Sequence, residues 1–124
     1  MLLKKYALLG TALATLGLPV LASADLLTIN HTNEASSVRL STGRCPALYT
    51  KPHDQLPTPT VIVQGLCGSH CTAQVFASSD CTGKQTGLVT IDTTHNINVT
   101  VNQSMNGYLI TSSGSTVTID YAHK

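Results

Sequence analysis

Two of the chain's four cysteines stand four residues apart in the run Cys67-Gly68-Ser69-His70-Cys71. Whether that run holds a metal, switches redox state or ties the chain together decides which folds are open to it. A haem attachment needs Cys-x-x-Cys-His, and the order here is Cys-x-x-His-Cys. A thioredoxin-type switch needs Cys-x-x-Cys opening a helix whose positive end lowers the thiolate pKa. Here the spacing is one residue longer, and the TAQVFA that follows alternates as a strand does. The Cys-x-x-x-Cys of thioredoxin-like copper chaperones needs the same missing α/β fold. Zinc would draw on Cys67, His70 and Cys71 with Cys45 or Cys81 as fourth ligand, but the paired knuckles of a zinc ribbon are absent. A covalent bridge is the expected reading.

The amino-terminal segment points to a compartment where such bridges form. It carries Lys4 and Lys5, an apolar run from Tyr6 to Leu21, and then Ala22-Ser23-Ala24, the small-x-small pattern cut by signal peptidase. A cleaved signal-peptide helix over 1–24 is expected, with one domain from Asp25 to Lys124 in the periplasm or secreted. An even count of cysteines behind such a leader predicts two disulfides. Beyond the leader stand five basic and six acidic residues, a net charge of −1. That balance gives no footprint for nucleic acid and no polybasic patch for a membrane once the leader is removed.

Thr, Ser, Val, Ile and Asn dominate the remainder, which favours pleated strands over helices. Strands are expected over 25–30, 36–42, 60–66, 72–78, 86–92, 95–102, 106–112 and 115–122, with no helix after Ala24. Period-two alternation is clearest at Ala73, Val75 and Ala77, at Ile97, Val99 and Val101, and at Val117, Ile119 and Tyr121. Short strands separated by turn residues predict an all-β fold, an antiparallel β-sandwich of seven or eight strands with Greek-key, Ig-like connections. An open barrel is the alternative.

The segment 43–59, GRCPALYTKPHDQLPTP, holds four of the five prolines and is expected to be one long loop tied at Cys45. Tyr49, Lys51, His53 and Asp54 give it an aromatic and mixed polar face, which makes it the candidate contact surface. If 60–66 and 72–78 were successive antiparallel strands, Cys67 and Cys71 would face each other at about 4.5 to 5.5 Å between Cα atoms, within disulfide reach. Gly68 or His70 would take the left-handed conformation of that turn. Cys71 is a poor partner for Cys81, because a strand from 71 to 77 covers about 20 Å and the four residues after it return only about 13 Å. Cys45–Cys81 is therefore the expected second bridge.

For chemistry the chain offers little. No nucleophile elbow, carboxylate pair or metalloprotease helix is present, and His53 and Asp54 would point different ways along an extended chain. A non-enzymatic protein without a cofactor is expected, its partner a protein or surface ligand. Five histidines leave weak metal candidates in His70, His95 and His123. His95 and His123 share the inward parity of their strands and would meet at one end if those strands paired. The competing functions are a periplasmic copper- or zinc-binding protein and a pilus or adhesin-like subunit.

Cys45, the Lys51-Pro52-His53 run, Cys67, and Cys71 to Gly83 (CTAQVFASSDCTG) together resemble a group of small exported, disulfide-containing proteins of intracellular gammaproteobacterial pathogens. The resemblance implies a β-sandwich and, for some members, a type II secretion substrate. It carries over no catalytic residues.

Overall fold

Eight strands and one short helix lie within the residues described, 25–123, in a computed structural model. In chain order they are β1 (Leu26–Asn30), β2 (Ser37–Leu40), β3 (Asp54–Thr58), α1 (Thr60–Cys67), β4 (His70–Phe76), β5 (Gln85–Asp92), β6 (Asn98–Ser104), β7 (Tyr108–Ser113) and β8 (Thr116–Tyr121). The expected signal peptide, 1–24, lies outside the described residues. Two four-stranded sheets, ordered β3-β1-β8-β7 and β2-β4-β5-β6, make the sandwich. Every pairing is antiparallel except that of β1 with β8, which is parallel.

Alternation decides which side chains face inward. On β4, Cys71, Ala73 and Val75 are buried and Thr72 and Gln74 exposed; on β5, Val89 and Ile91 are buried. Val99, Ile110, Val117 and Ile119 complete the opposing walls. The chain has one phenylalanine and no tryptophan. Sheets stacked about 10 Å apart need interdigitating side chains to fill the layer, and valine and alanine reach only part of the way.

The two long edges of the sandwich differ. On the β6/β7 edge, serine hydroxyls stitch the sheets together: the Ser104 hydroxyl accepts from the Ile110 N–H at 2.9 Å, and the Ser112 hydroxyl donates to the Val99 carbonyl at 2.8 Å. On the β2/β3 edge no ladder joins the sheets among the described residues. That gap is filled by α1 and by the β2–β3 connection.

Both fillers differ from the sequence expectation. Residues 60–66 were expected as a strand and instead form α1. The three β-branched residues Val61, Ile62 and Val63 suggested pleat, yet Val63 and Cys67 are buried with Leu66 half-buried between them, while Val61 is 71% exposed. That i, i+3, i+4 face is what the open edge requires, and burying it overrides the weak preference of β-branched residues for strands. The Pro59 carbonyl begins the helix by accepting from Ile62 and Val63 N–H groups. The second correction concerns 43–59, whose last residues, Asp54–Thr58, are not loop but strand β3. Its Pro57, opposite Leu27, is tolerated because β3 is the outermost strand of its sheet.

Cys67 pairs with Cys71 and Cys45 with Cys81, and the described residues hold no free cysteine. The Cys67–Cys71 Cα separation is 5.2 Å, but the bridge joins a helix end to a strand start rather than two strands of a hairpin. Gly68, at φ 74°, makes the reversal. Each bridge therefore holds one filler of the open edge: Cys71 lies in β4 and Cys81 in the connection that follows it.

Candidate functional site

The β2–β3 connection leaves Leu40, and its Thr50 main chain pairs with Ser36 through two hydrogen bonds of 2.8 and 2.9 Å. Between those ties, and next to the half-buried Cys45, the chain carries Leu48 and Tyr49, 43% and 40% exposed. Their inner sides help line a cavity of about 100 Å³ that runs in between the sheets to Val75, Val89 and Ile119, with Val63 and Leu66 of α1 as its cover. None of the described residues lining it is charged.

The candidate contact residues do not act as one face. Tyr49 belongs to the mouth of the apolar cavity. The Lys51 carbonyl accepts from the Asn30 side chain at 3.2 Å, so its main chain is structural while its side chain is exposed. His53, at φ 54°, places Nε2 2.5 Å from Asn33 Oδ1. Asp54 opens β3, its carboxylate accepting from the Gln55 N–H at 2.8 Å. His53 and Asp54 share a shallow, solvent-open cleft with His31, which sits 3.4 Å from Asp120.

Beneath this cleft lies a polar knot that sequence reasoning missed. Asn30 is fully buried: its amide donates to the Glu34 and Lys51 carbonyls, and its oxygen accepts from the Thr32 N–H and hydroxyl. Both Tyr108, at 2.7 Å, and Tyr121, at 3.3 Å, donate to one Glu34 carboxylate oxygen. Burial first, and then that bond and the Glu34 charge, push the Tyr108 hydroxyl pKa well above the ordinary tyrosine range. Asn30 reads in the sequence as a strand end before a turn, and nothing there marks it as the centre of a network.

Of the weak metal candidates, His70 and His95 both lie near Asp92, and His123 is apart from them. His70 opens β4 opposite Asp92, whose carboxyl is held below the usual range chiefly by the Thr94 hydroxyl, with the charges of His70 and His95 adding to the effect. His123 follows β8 beyond Tyr121, at the end where Ala122 bonds Gly107, whereas His95 sits at the other end, beyond Asp92. β6 and β8 lie in different sheets, so the strand pairing that would bring His95 to His123 is not made. Among the described residues no group of three His, Cys, Asp or Glu side chains is placed to hold a metal ion.

No protein-family model and no curated protein sequence matches this chain. The solved structure of the Legionella pneumophila type II secretion system substrate NttC is similar: the match has a TM-score of 0.67 at 24% identity and covers 81% of this chain and 99% of that one. The likeness is one of fold. A similar fold thus occurs in a protein described as a secretion substrate.

The cavity had a faint signal in the sequence. An aliphatic-aromatic pair, Leu48-Tyr49, stands between a cysteine and a proline in a segment otherwise polar, and large apolar side chains in a tethered loop need somewhere to lie.

Proposed function

We propose that this chain is a small exported protein, released through a type II secretion system or held in the periplasm, that works by binding rather than by catalysis. The observation that carries the reading is the exposure of Leu48 and Tyr49 on a segment fixed by Cys45–Cys81 and by the Ser36–Thr50 bridge. A leucine and a tyrosine presented side by side on a constrained segment, at the mouth of an apolar cavity, suit a contact surface. Two disulfides and the fold shared with a secretion substrate support export. The partner is a protein or surface ligand that meets 43–53.

Fractionation of cells with and without a functional type II outer-membrane channel tests the route. The protein is expected in the culture supernatant of the first and in the periplasm of the second; a cytoplasmic, unprocessed chain in both contradicts the reading. A photo-crosslinker at position 49 is expected to trap a partner that one on the opposite edge, at Leu109, does not.

A further inference from the structure

We propose that the cavity between the two sheets is a binding site for the alkyl chain of a free single-chain amphiphile, admitted at the β2/β3 edge past Leu48 and Tyr49. The inference deepens the binding reading, since it places the entrance on the same segment, but the two can fail separately.

Size and chemistry select the occupant. An engineered apolar cavity of about 150 Å³ stays dry and takes up benzene or xenon. The void here, about 100 Å³, is smaller, and its depth beneath the α1 cover is formed by Val75, Val89, Val117 and Ile119. It suits a run of methylenes better than an aromatic ring. Water is a poor guest because it needs two to four polar partners. A peptide is also poor, because its N–H and C=O groups would go unpaired among those valines.

Of the hydroxyl-bearing lining residues, Thr28 lies on the inner strand β1, while Ser36, Ser37, Tyr49, Thr50 and Thr58 belong to the open edge, beside the entrance. A head group would stay there or in solvent, and with no charged lining residue its charge is not selected. A two-chain lipid in a bilayer is disfavoured by the near-neutral charge of the chain beyond the leader, which supplies no basic patch to draw the mouth to a membrane surface.

The experiment uses the oxidised protein as recovered from the exporting cell, with labelled methyl groups, titrated with 1-butanol, 1-hexanol and 1-octanol and, in a separate arm, with phosphatidylcholine vesicles. Saturable shifts are expected at the methyls of Val63, Leu66, Val75 and Ile119. Affinity should rise about fourfold for each methylene until the cavity is full. Val63→Phe, which fills the void, should abolish the shifts. Val89→Ile, which adds one methyl to the opposite wall, should weaken them severalfold and serves if the first variant does not fold. With the photo-crosslinker moved to the exposed position 51, Leu48→Ser with Tyr49→Ser should remove crosslinking to a partner yet leave the butanol shift at Ile119, whereas Val63→Phe should do the reverse. Shifts confined to the exposed methyls of Val61 or Leu109, shifts unaffected by either cavity-filling variant, or a response to vesicles alone would overturn the proposal.

Discussion

The hydroxyl of Tyr108 donates to a carboxylate oxygen of Glu34 across 2.7 Å, joining β7 to the β1–β2 connection 74 residues away in the chain. The Tyr108 ring is 5% exposed and packs against Tyr121 at 5.6 Å between centroids. The pair anchors the polar turn that underlies the His31–His53 cleft. Folding raises the Tyr108 pKa above its ordinary 10.0. Its contribution is therefore intact below pH 10 and fades as pH climbs beyond that value. Denaturant melts from pH 8 to 11.5 should show stability falling above pH 10. In Tyr108→Phe the melts should show about 1 kcal/mol lower stability at pH 8 and a shallower alkaline decline.

Asn30 satisfies two carbonyls, one N–H and one hydroxyl from a position with no solvent access. Asn30→Ala leaves those groups without their partner in a buried site, where each lost bond costs about 1 kcal/mol or more. A loss of about 3 kcal/mol in urea denaturation is expected, with Asn30→Asp intermediate because the carboxylate keeps the acceptor and loses the donor.

Gly87 sits on β5 where β6 and β7 crowd it. A methyl there would lie 2.6 Å from the Gln103 carbonyl oxygen and against the Ile110 Cδ1 atom. Backbone cannot withdraw as a side-chain tip can, so Gly87→Ala should cost about 1 to 3 kcal/mol. The complementary Ile110→Val, by relieving the side-chain half of the clash, should recover part of it in a double-mutant comparison.

The strands that carry β5 through β8 were readable because one face of each is buried and the other wet, which writes a period of two into residues such as Val89 and Ile91 or Val117 and Ile119. Chain reach pointed to Cys45–Cys81, whereas Cys67–Cys71 was expected from a hairpin that is in fact a helix end meeting a strand start. The edge fillers were not readable. A helix of eight residues shows barely two turns of periodicity, and Val61 and Ile62, both apolar and both outward, blurred even that. Pro57 hid β3 because its lack of a donor excludes only interior strands. The cavity and the Asn30 knot depend on contacts between residues distant in sequence, which no local pattern records.

Both bridges hold segments that fill an open edge, rather than the sheets themselves. In the chain-entropy account the Cys67–Cys71 ring is worth about 2 kcal/mol and the Cys45–Cys81 ring about 4 kcal/mol. Hydrogen exchange of the oxidised and the reduced protein tests this arrangement most directly. Reduction should strip protection from 43–50 and 60–67 by at least tenfold while β4, β5 and β6 keep theirs. Equal loss across both sheets, or unchanged protection in the two fillers, would contradict a sandwich whose open edge is held in place by sulfur.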